Sequence, residues 1–158
     1  DNLVREIKET IAQHPNVGGV YDLVLNNYGP GETIGSVHIT VPDTMTMADI
    51  HPLTKSIAVH LYKKFGIAMT VGVYAENQPS LEVLEVRQAL DQVVSLYTHV
   101  VQVHAFYVQE EKKVIYYDII FDFDEEDPQG TLEKIKAEMQ KRCPEYTQFA
   151  IVDTDFSN

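Results

Sequence analysis

Apolar residues along this chain change their period several times, and each change marks an element. Val4, Ile7 and Ile11 recur at helical spacing. Pro15 predicts a stop, because proline lacks an N–H and disfavours helical backbone at His14 before it. Val20 to Leu25 reads as a strand apolar on both faces, and Asn26-Asn27-Tyr28-Gly29-Pro30-Gly31 as a turn. From Gly35 to Val41 the alternation is strict: Val37, Ile39 and Val41 on one face, Ser36, His38 and Thr40 on the other. This predicts a half-buried hairpin strand with His38 pointing away from the core.

Pro42-Asp43 ends that hairpin, and Thr46 with Asp49 has the pattern of an N-cap and its reciprocal acid ahead of a helix carrying Leu53, Ile57, Val59 and Leu61. Pro52 conflicts with a helix begun at Thr46, so either the helix starts near His51 or a separate turn precedes it. Gly66 closes the helix, and Ala68 to Glu76 forms a third strand, with Val71 and Val73 alternating against Gly72, Tyr74 and Glu76. A strand, helix and further strand make a right-handed parallel crossover, which puts the third strand parallel to the second. His38 and Glu76 then share the open face of a three-stranded sheet whose other face carries two helices.

The same order of elements then repeats. Val4-Arg5-Glu6-Ile7 opens one half and Val86-Arg87-Gln88-Ala89 the other, a spacing that suits a duplicated small domain and not a solenoid. The second half predicts a helix through Val86, Leu90, Val93 and Val94, then a hairpin from Val100 to Val108 that turns at Glu110-Glu111-Lys112-Lys113. It returns through Val114 to Phe123, with Ile119, Phe121 and Phe123 facing the core and Asp118, Asp122 and Asp124 opposite. A helix from Leu132 to Arg142, ended at Pro144, and a strand from Phe149 to Asp155 complete it. The expected fold is α+β: two tandem α-β-β-α-β units of ferredoxin-like type, residues 1–77 and 84–158, joined by Gln78-Pro79-Ser80.

With 24 acidic against 12 basic residues the chain of 158 residues has a formal net charge of −12, which excludes nucleic acid and anionic membrane surfaces as natural partners. The acidic excess serves either solubility or a cationic partner. Cys143 is alone, so no internal disulfide or CxxC metal knuckle forms, and a reducing compartment fits. The longest apolar stretch, Ile67 to Ala75, is broken by Thr70 and Gly72 and is too short to span a bilayer. No charged-then-apolar leader opens the chain, and a start at Asp1 points to a piece of something longer. No GxSxG elbow, phosphate-cradling glycine loop or HExxH is present, and an enzyme is not expected.

Gly19-Val20-Tyr21-Asp22-Leu23, Asn27-Tyr28-Gly29-Pro30-Gly31, Ser36-Val37-His38-Ile39 and Val41-Pro42-Asp43 together resemble the C-terminal cytoplasmic domain of the cation diffusion facilitator family of metal transporters. The resemblance covers nearly all of the first half; the second is similar in pattern to the extra copy appended in some bacterial members. It implies a fold like a copper metallochaperone, six transmembrane helices missing from this fragment, a place on the cytoplasmic side of the cell membrane, a homodimer, and binding of a divalent metal that favours transport. It also implies a metal role for His38, His51 and Glu76, while Tyr21 and Tyr74 stand where some members place histidine.

Two imidazoles and a carboxylate suit zinc, manganese, iron or cobalt. The competing account is three solvated polar residues on an open face. In the second copy His104 aligns with Tyr21, and Asp153 and Asp155 roughly with Tyr74 and Glu76, a weaker set that could take a hard divalent ion but reads first as a charged strand terminus. His14, His60 and His99 read as structural, and the run Asp122 to Asp127 as an acidic strand end without the glycine of a calcium loop. The expected function is the cytosolic regulatory and dimerisation region of a divalent cation efflux transporter. The alternative is a free-standing tandem sensor that binds a small ligand or a protein partner.

Overall fold

The computed structural model describes residues 2–153, which divide into two compact units between Glu76 and Asn77. The first unit runs α1 (Asn2–Ala12), β1 (Gly19–Asn27), β2 (Thr33–Pro42), α2 (Met47–Phe65) and β3 (Ile67–Glu76). Its sheet has the order β1-β2-β3, with β1 antiparallel and β3 parallel to β2. The alternation along β2 buries Val37, Ile39 and Val41 under Ile7 and Ile11 of α1 and Ile57 and Leu61 of α2. Full burial of each such side chain is worth about 1.5–3 kcal/mol.

Helix α2 begins at Met47 and passes through Pro52, so neither expected start applies. Thr46 and Asp49 form a full capping box, with Asp49 N donating to Thr46 Oγ1 at 3.2 Å and Thr46 N to Asp49 Oδ2 at 2.9 Å. Those bonds hold the first turn and offset the single backbone bond that Pro52 removes. The helix ends at Gly66 in the left-handed region, φ 70°, where a side chain would be strained.

The second unit runs α3 (Leu81–Val94), β4 (Val100–Gln109), β5 (Val114–Phe121), α4 (Pro128–Arg142) and β6 (Thr147–Asp153), with sheet order β4-β5-β6 and the same antiparallel and parallel pairings. Val86, Leu90, Ile115, Tyr117, Ile119, Ile135 and Met139 fill its core. Two expectations fail here. Strand β5 ends at Phe121, and the bend after it leaves Phe123 fully exposed. Helix α4 starts at Pro128, four residues before the expected Leu132. Asp127 caps it by accepting from Gly130 N at 3.0 Å, and Pro128 at the first helical position gives up an N–H that would have no partner there.

The two units repeat each other down to an irregularity. In β1 the register slips after the pair Tyr21–His38, with Asp22 at φ 56°. In β4 it slips after the pair His104–Asp118, with Ala105 at φ 55°. A bulge at the same place re-aims the same strand in both units.

Candidate metal centres

On the open face of the first sheet three side chains meet around the bulge. His38 lies on β2, and the ring of Tyr74 on β3 stacks on it at 4.4 Å and 10°. Gly72 is the register partner of His38; a Cβ there would collide with the imidazole, so glycine lets the ring lie over β3. Asp22, turned inward by its left-handed backbone and 9 % exposed, accepts a hydrogen bond from Tyr74 Oη at 2.8 Å and lies 3.1 Å from His38 Nδ1. That nitrogen is shielded from solvent and has no aligned hydrogen-bond partner, so its contact with Asp22 is one of proximity.

The sequence-derived trio of the first unit does not gather. Glu76 pairs in register with Pro42, four positions along the strands from His38, which is about 13 Å at 3.3 Å per residue. Its carboxylate lies instead beside Gly18 and Thr40. His51 is exposed in the early turns of α2, which packs Ile57 and Leu61 on the core face, whereas His38 is on the opposite face. In the second unit His104 is buried, its Nε2 2.7 Å from Gln102 Oε1, and it stands opposite Asp118. Asp153 pairs with Ile120 as Tyr74 pairs with Thr40, and Asp155 lies outside the described residues.

Among the described residues, one group of three His, Cys, Asp or Glu has its ligand atoms all within 4.8 Å of one another: His99, Asp122 and Asp124. His99 precedes β4 and Asp122 follows β5, and the hairpin brings them together. Asp122 N donates to His99 O at 2.9 Å, and His99 Nδ1 stands 3.0 Å from Asp122 Oδ1. Asp124 N donates to the same Oδ1 at 2.9 Å. The Asp122 hydrogen bond raises the His99 pKa, with the charges of Asp122, Glu125 and Asp124 adding to it against partial burial. Burial pushes the Asp122 carboxyl up, but His99 and the Asp124 N–H outweigh it and hold the group below the usual carboxylate range. Read singly, His99 was a turn residue and Asp122 part of an acidic strand end. The signal that joins them is their place at the open end of the hairpin that turns at Glu110–Lys113, His99 just before β4 and Asp122 just after β5.

A second unanticipated pair joins α1 to α2: His14 Nε2 lies 3.0 Å from His60 Nδ1. Burial, then the neighbouring His60, lowers the His14 pKa. An unfolded chain therefore binds more protons than the folded one as pH falls past about 6.5. His14 contributes stability above that pH and loses it as pH drops through the folded pKa. Urea titrations at pH 7.5 and 5.5 should show a larger loss of stability in the wild type than in His14→Gln; equal losses would show that the pair does not sense pH.

Residues 1–76 match the family described as cation efflux protein, cytoplasmic domain. The match ends where the second unit begins. No curated protein matches the chain. Similar solved structures include a nickel form of the MamM CTD, 22% identical over 48% of this chain and 99% of that one, with a TM-score of 0.44. A zinc form is 22% identical over 48% of this chain and 85% of that one, TM-score 0.43, and a cadmium form 22% identical over 47% and 95%, TM-score 0.43. No helix among the described residues is long and apolar enough to cross a membrane.

Proposed function

We propose that the chain is the cytosolic regulatory and dimerisation region of a divalent cation efflux transporter, whose transport step is carried out by a membrane part of the same polypeptide. The observation that carries this reading is the family match over residues 1–76. In this reading residues 84–158 are a diverged second copy; the shared order of elements and the shared bulge support it. A net charge of −12 draws cations to the region. An ion with higher affinity for one arrangement of the dimer shifts the population toward it by that difference in affinity, and in no other way.

The open sheet faces supply surfaces for a second copy of the chain. The second unit's face exposes Phe149 at 60% and Ile151 at 56%, with Tyr116 stacked on Phe149 at 5.5 Å. The equivalent positions of the first unit are Thr70, Gly72 and Ser36, beside the polar group of Asp22, His38 and Tyr74. Calorimetric titration with zinc, manganese, cobalt and iron(II) tests the reading. At least one should bind with a saturable, chelator-reversible heat, and no binding by any of the four would contradict a metal-responsive role.

The alternative, a module for a small organic ligand, is favoured by one feature. A groove of about 550 Å³ between the start of α3 and the end of α4 is lined by Leu81, Glu82, Val86, Arg142, Cys143 and Tyr146. Thermal stabilisation by organic ligands and none by metals would select it.

A further inference from the structure

We propose that this chain binds its divalent cation at the end of the second sheet, through His99, Asp122 and Asp124, and not on the open face where the first unit carries His38. The inference rests on the metal-responsive reading above and assigns that reading a place. One imidazole nitrogen and two carboxylates form a mixed donor set suited to manganese, iron(II), cobalt or zinc, and the two negative charges balance a dication. Metal–ligand distances of roughly 2.0–2.2 Å put neighbouring donors about 3–4 Å apart. The donors here already lie within 4.8 Å of one another, so small rotations of side chains would close them around an ion.

Two of the three donors are held in place before any ion arrives. The backbone bond from Asp122 N to His99 O ties the two chain segments at the hairpin's open end, and the bond from Asp124 N to Asp122 Oδ1 fixes the turn that presents the third. The His99 and Asp122 side chains are each 40% exposed, which leaves a path for the ion and room for water to complete its shell. Glu125, Glu126 and Asp127 follow directly and deepen the negative field.

The duplication supplies a control inside the molecule. Matching His104 to Tyr21 and Asp118 to His38, and allowing for the second bulge of β4 between Val100 and Gln102, places Asn16 or Val17, Pro42 and Thr44 where the second unit has His99, Asp122 and Asp124. At those positions the first unit carries neither an imidazole nor a carboxylate. The fold does not require these groups, and all three ligands are present in the copy that has them.

Cobalt(II) is the probe, read by its visible absorption and by equilibrium dialysis of the full chain. His99→Ala and Asp124→Asn should each weaken binding by about tenfold or more, while His38→Ala leaves it unchanged. Asp124 lies outside the strands, so its variant tests the site even if His99→Ala disturbs the hairpin, and circular dichroism checks the fold of both. Wild-type affinity in His99→Ala and Asp124→Asn would reduce the cluster to a hairpin-end ion pair and overturn the inference, with the functional reading intact. Loss of binding in His38→Ala alone has the same meaning. Absence of cobalt binding to the wild type would overturn the inference, and the functional reading with it only if zinc, manganese and iron(II) also fail to bind.

Discussion

Ile57→Ala should lower the stability of the first unit by about 2–5 kcal/mol. Ile57 is fully buried on α2, against Ile7 and Ile11 of α1 and the inward row Val37, Ile39 and Val41 of β2, so its removal leaves a cavity that three elements would have to collapse to fill. The measurement is urea unfolding followed by far-ultraviolet dichroism, with the loss seen as a lower midpoint at unchanged slope. A loss under about 1 kcal/mol would mean that the helix does not seat on the sheet as described.

Asp22→Ala is the second. Alanine at φ 56° costs about 1–2 kcal/mol where aspartate is better tolerated, and removing the carboxylate takes away the acceptor of the Tyr74 hydroxyl, at about 1–3 kcal/mol more. Asp22→Asn keeps the local hydrogen-bonding capacity and the tolerance of left-handed backbone, and should recover most of that loss. If alanine and asparagine cost the same, the charge facing His38 is what matters, and the bulge geometry is not.

What could be read from residues alone follows the reach of the forces involved. Period and local chemistry fix elements, and the alternation of β2, the capping box of Thr46 and Asp49 and the stop at Gly66 were all legible because each is settled within a few neighbours. Pro52 misled because the penalty of an interior proline is local, whereas the packing of Ile57 and Leu61 on the sheet that outweighs it is tertiary. Phe123 misled for a related reason: the alternation runs on past Phe121, but the strand does not, because Asp122 turns the chain toward His99 and Asp124.

The sites were less legible than the fold because ligand groups are assembled across long separations. His38 and Glu76 share a face as the alternation requires, yet four register steps separate them along the strands. The bulge that brings Asp22 to His38 leaves no mark in the apolar pattern, since one inserted residue shifts the faces of β1 in a strand already apolar on both. His99 and Asp122 meet only once the hairpin register is known, and each alone has an ordinary explanation.

Sedimentation velocity tests the central claim most directly. The full chain is run at several loading concentrations, first with chelator and then with a saturating amount of whichever ion binds in calorimetry. The account predicts a reversible monomer–dimer equilibrium that the ion shifts toward the dimer or compacts within it. Identical sedimentation with ion and with chelator, at every concentration, would contradict it.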